Sequence, residues 1–102
     1  MDENKIKAYE GPMALWISQI FLNVDEPDIQ ISENWLQKAI GADQKNGQRW
    51  NLSKDYIIYT ELFKRKKEKV KAKKSLSQAI ELYQECGADG WVKKYKKVLA
   101  EL

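Results

Sequence analysis

Apolar residues recur at spacings of three and four along most of the chain, and no stretch alternates with period two, so the pattern predicts an all-helical protein. Helix 1 is expected from about Pro12 to Val24. Its apolar residues Met13, Ala14, Leu15, Trp16, Ile17, Ile20, Phe21, Leu22 and Val24 run round nearly the whole circumference, so it has to be covered on more than one side. Gly11-Pro12 suits a helix start with proline in the first turn, which leaves residues 1–11 as a polar, frayed or weakly helical lead-in. Asp25-Glu26-Pro27-Asp28 interrupts the pattern and restarts it with acids near free amides. Helix 2 then spans about Asp28 to Lys45, with Ile29, Ser32, Leu36, Ala39, Ile40 and Asp43 on one face and Asn46-Gly47 as its stop. Helix 3 begins between Gln48 and Lys54 and reaches about Lys67, stacking Leu52, Tyr56, Tyr59 and Phe63. Helix 4, about Val70 to Cys86, places Ala72, Leu76, Ala79, Ile80 and Tyr83 inward and ends at Gly87. Asp89 is the expected N-cap of helix 5, where Trp91, Val92, Tyr95, Val98, Leu99 and Leu102 oppose Lys93, Lys94, Lys96 and Lys97.

The chain also matches itself. At an offset of 40, Leu36, Ala39, Ile40 and Gly47 align with Leu76, Ala79, Ile80 and Gly87; at an offset of 42, Ala14, Ile17, Ser18 and Phe21 align with Tyr56, Tyr59, Thr60 and Phe63. Two helix-turn-helix units and a final helix result. Small residues let paired helices approach while large ones interdigitate. Tyr56, Tyr59, Thr60, Phe63, Ala72, Leu76 and Ala79 in the second unit, with Ile17, Ser18, Phe21, Ser32, Leu36 and Ala39 in the first, resemble the tetratricopeptide repeat. The period exceeds that family's roughly 34 residues, Ser18 or Thr60 stands where it has glycine, and Gln84 stands where it has its closing proline.

The segment from Ala79 to Tyr95 resembles the last repeat and capping helix of multidomain bacterial signalling ATPases and adenylate or guanylate cyclases. The resemblance implies a right-handed stack of antiparallel hairpins in one domain, residues 12–47 and 48–87, closed by a capping helix at 88–102. It implies a scaffolding or protein-interaction module at the C-terminal end of a larger signalling protein. It further implies a concave groove lined by Leu15, Gln19, Leu22 and Asn23 of helix 1 with Lys54, Ile57, Glu61, Lys64 and Arg65 of helix 3, suited to a protein or peptide. Because solenoids generally need about three repeats, the apolar side of helix 1 carrying Met13, Trp16 and Ile20 is expected to meet upstream repeats or a second copy in a homodimer.

Composition narrows the function. The 102 residues suffice for one core, and 43% hydrophobic content with four Trp and five Tyr argues against general disorder. A single cysteine, no leader-like start and no apolar run of about 18 residues predict a cytoplasmic chain that does not enter membranes. Residues 1–47 carry eight acids against four lysines and residues 48–102 fourteen bases against seven acids, so the halves hold −4 and +7. Such a chain could meet its copies head to tail or steer an acidic partner to its second half. Lys64 to Lys74, with eight bases and one acid, supplies the alternative of a nucleic-acid-binding helical domain acting through Lys66, Lys67, Lys71 and Lys74. Tyr56, Tyr59 and Phe63 beside it have the spacing of a packed face instead of a stacking platform, which weighs against nucleic acid. No histidine is present, so Cys86 lacks one near it, and Gly87-Ala88-Asp89-Gly90 lacks the lysine of a phosphate loop, so no enzyme activity, cofactor or metal is expected.

Overall fold

The computed structural model describes residues 3–24 and 28–102, with side chains from residue 11 onward in the first helix. Five α-helices account for the fold: α1 Glu3–Leu22, α2 Ile29–Lys45, α3 Arg49–Arg65, α4 Lys69–Glu85 and α5 Asp89–Glu101. No strand occurs among the described residues, as the spacing predicts. Each helix packs on its neighbours in sequence, most extensively α1 with α2 and α3 with α4, and α1 also touches α3. The assembly is a slab of 45 × 36 × 18 Å.

Three turns set the geometry, and they are copies of one another twenty residues apart. In the first, Gly47 N–H donates to the Gln44 carbonyl and Gln48 N–H to that of Asp43; Lys67 and Glu68 repeat this to Lys64 and Phe63, and Gly87 and Ala88 to Gln84 and Tyr83. These paired bonds are the Schellman arrangement, which closes a helix through one left-handed residue. That residue is Gly47 at φ 66°, Lys67 at φ 60° and Gly87 at φ 72°. The basic segment therefore does contain a turn, at Lys66 to Glu68. The Asp28 carboxylate accepts from the Ile31 N–H at 3.0 Å, capping α2 where the acidic restart predicts. At α5 the cap is Ala88, and Asp89, expected there, is the first helical residue instead.

Buried Leu36, Leu62, Phe63 and Ala72 form one core cluster, and Leu76, Ala79, Ile80, Tyr83 and Val92 a second. The small residues act where helices come closest. Between α1 and α2, the Ser18 hydroxyl donates to the Ser32 carbonyl at 2.8 Å and the Ser32 hydroxyl to the Ser18 carbonyl at 2.9 Å, so two buried polar side chains satisfy each other's backbone.

The start of α1 departs from expectation. Gly11 and Pro12 lie inside the helix, which begins at Glu3. Proline in a helix interior forfeits one amide donor and crowds the preceding turn. Glycine has a separate reason here, because a Cβ on Gly11 would overlap the Asp43 carboxylate of α2.

Candidate functional site

An open groove of about 370 Å³ lies between α1, α3 and α5. Helix α1 contributes Pro12, Leu15, Trp16 and Gln19 along one flank; α3 contributes Trp50, Asn51, Lys54, Ile57 and Ile58; α5 contributes Trp91 and Tyr95. Tyr83 of α4, itself buried, joins these walls through rings, meeting Trp50 edge-on at 5.3 Å and Tyr95 and Trp91 in stacked contacts at 5.8 and 6.1 Å. The indoles of Trp16, Trp50 and Trp91 stay exposed. Aromatic surface of this kind suits anchoring residues of a bound partner. Two of these indoles carry a cation: Lys54 Nζ sits 5.5 Å from the Trp50 ring centroid and Lys94 Nζ, outside the groove lining, 5.0 Å from that of Trp91.

Asp55 is among the groove's lining residues but is 0% exposed, and it meets Asp43 of α2, which is 1% exposed. No donor on another described residue reaches any of the four carboxyl oxygens. At the twenty-residue spacing of the turns, Asp43 occupies the place that Phe63 and Tyr83 fill in the next two helices, so a carboxyl stands where an aromatic ring would complete the core. Burial pushes the Asp55 carboxyl up to about 10, reinforced by its hydrogen bond with Asp43 and that group's charge. Burial also raises Asp43, and the hydrogen bond from Asp55 opposes that rise. Two such groups retain a shared proton at neutral pH.

Four residues of the expected groove, Leu15, Gln19, Lys54 and Ile57, line it together. Leu22 does not; it is buried in the core, as the innermost flank of α1 requires. Asn23 closes the end of α1, its side-chain amide donating to the Gln19 carbonyl at 2.9 Å. Glu61 lies 3.9 Å from both Lys64 and Arg65. Arg65 Nη1 donates to the Leu22 carbonyl at 2.7 Å, making it a clamp between α3 and the last turn of α1. Met13, Trp16 and Ile20 are 61%, 66% and 44% exposed, so the outer crest of α1 is apolar and open, without the second cover that the all-round pattern calls for. Trp50, Trp91 and Tyr95 are among the groove residues that sequence reasoning missed, and Trp16, expected on the self-association face, lines the groove as well. The signal of Trp50 and Trp91 is positional, since both stand in the first turn of a helix that follows a Schellman turn.

The basic segment is paired only in part: Lys64, Arg65, Lys66 and Lys71 have acidic neighbours, while Lys67, Lys69, Lys73 and Lys74 have no ion pair among the described residues. Lys66 Nζ lies 3.3 Å from Glu33 and 3.9 Å from Glu68, and Lys71 Nζ lies 3.7 Å from Glu68. Among the described residues, no group of three His, Cys, Asp or Glu side chains could hold a metal ion, and no helix is long and apolar enough to cross a membrane. No known protein family, curated protein or solved structure matches the chain.

Proposed function

We propose that this domain is a non-catalytic protein-interaction module, a tetratricopeptide-like hairpin stack that scaffolds within a larger signalling protein and holds a peptide segment in the α1–α3–α5 groove. The observation that carries it is the set of exposed indoles, Trp16, Trp50 and Trp91, converging from three helices on one groove, with Lys54 in its lining and Lys94 over the Trp91 ring. Apolar anchors in a pocket supply affinity, and rim charges select the partner. The bound segment therefore presents one large apolar side chain flanked by carboxylates.

Selection from a random peptide display library tests this, with wild type and a Trp16→Ala/Lys54→Glu variant panned side by side. Wild type is expected to enrich acidic peptides with an aromatic or large aliphatic anchor, and the variant to bind them roughly 30-fold or more weakly, the loss of about 2 kcal/mol that truncating an anchor produces. Unchanged thermal unfolding of the variant separates lost contact from lost fold. No shared feature among the enriched peptides, or equal binding by both proteins, overturns the proposal.

A further inference from the structure

The opposite flank of α1 carries a second groove, of about 600 Å³, between α1 and α2. Met13, Ala14 and Ile17 form one wall and Trp35 and Ala42 the other. It faces away from α3, because the residues of α2 that reach α3, Glu33 and Gln37, leave the other side of their helix and meet Tyr59. Nothing among the described residues covers Met13, which is 61% exposed.

Gly41 lies in this wall, in the interior of α2. Glycine there weakens a helix relative to alanine, and the fold does not call for it, since a Cβ at Gly41 would meet nothing within 4 Å. An open glycine beside Ala42 does leave room for another backbone to approach closely. Among the described residues, the charged side chains lining the groove are Lys38 and Lys45, seven residues and thus about 10 Å apart along α2. Neither has an ion pair among the described residues, and Lys38 Nζ lies over the Trp35 ring at 4.4 Å.

We infer that the groove between α1 and α2 docks an acidic amphipathic helix of a partner protein. Its apolar side rests on Met13, Ile17 and Trp35, its backbone approaches at Gly41, and carboxylates seven residues apart reach Lys38 and Lys45. A second copy is a poor occupant, because the exposed apolar crest it would offer, Met13, Trp16 and Ile20 of α1, lies in a stretch (residues 11–22) with no carboxylate to meet Lys38 and Lys45, and α5 presents Lys93, Lys94, Lys96 and Lys97. This surface is separate from the α1–α3–α5 groove, and a domain with both would bridge two partners across the crest of α1.

The test uses two synthetic helices of about 18 residues, five turns, each with Leu and Ala on one face and either Glu or Lys on the other. Titration with calorimetric detection is expected to show binding of the Glu helix and none of the Lys helix. Gly41→Leu is expected to weaken the Glu helix at least tenfold while raising the melting temperature, and Lys38→Glu/Lys45→Glu to reverse the preference between the two helices. Trp16→Ala/Lys54→Glu, which disables the other groove, is expected to leave both titrations unchanged. Indifference to peptide charge, insensitivity to Gly41→Leu, or a wild-type dimer in light scattering that Gly41→Leu dissociates overturns the assignment, the last because a second copy would then be the occupant.

Discussion

The carboxyl of Asp43 on α2 faces the carboxyl of Asp55 on α3 inside the helix interface, both side chains buried and neither supplied with a donor by any other described residue. Asp55 is pushed up from 3.8 to about 10 by burial, its hydrogen bond with Asp43 and that group's charge, so the native state keeps a proton that the unfolded chain has released. A folded-state pKa above the unfolded value contributes stability that is fully present below about pH 4 and is lost as pH rises toward the folded value. The melting temperature is therefore expected to fall between pH 5 and pH 9. Asp55→Asn, whose amide can donate to Asp43 without titrating, is expected to flatten that profile and raise stability at pH 9. Thermal unfolding of both proteins at several pH values checks it; parallel profiles would exclude the shared proton.

Lys67 holds the left-handed position that Gly47 and Gly87 hold in the other two turns. A side chain there costs roughly 1 kcal/mol. Lys67→Gly is expected to stabilise the domain by about that amount, seen as a higher urea midpoint with unchanged slope. Gly47→Ala and Gly87→Ala are expected to shift the midpoint the other way by a similar amount.

Arg65, a groove candidate in the sequence, acts in the fold by closing the Leu22 carbonyl. Arg65→Met keeps most of the side chain's bulk and removes the donor. It is expected to cost roughly 1 kcal/mol of stability and to leave affinity for a groove-selected peptide within twofold. A large loss of affinity at unchanged stability would return Arg65 to the binding surface.

What could be read in the chain divides by the range of the physics involved. The five helices, the Asp28 cap and the glycine turns at residues 47 and 87 are local events, written in periodicity and in residues with strong conformational preferences. Lys67 escaped notice because lysine carries no preference for a left-handed backbone; only the twenty-residue repeat of the turns singles it out. Asp43 is placed correctly on the inner face of α2 by spacing alone, but its partner is not, since contact with Asp55 depends on how α2 and α3 align. Part of the groove was legible, through Leu15, Gln19, Lys54 and Ile57. The third wall was not, because Trp91 and Tyr95 have the spacing of any amphipathic helix resting on a core.

Gly11 and Asp43 give the last prediction a sign that changes. In a helix, Gly→Ala gains about 1 kcal/mol from propensity, but at Gly11 the new methyl would overlap the Asp43 carboxylate, and overpacking in a closed interface costs about 1–3 kcal/mol. The overlap should win, so Gly11→Ala is expected to destabilise the domain. Asp43→Ala removes the obstructing carboxylate, and in that background the same substitution is expected to be neutral or stabilising. Urea unfolding of the two single variants and the double variant measures the coupling, which close neighbours show and separated sites do not. Additive effects would mean that α1 does not press on Asp43, and the interior position of Gly11-Pro12 would then need a different cause.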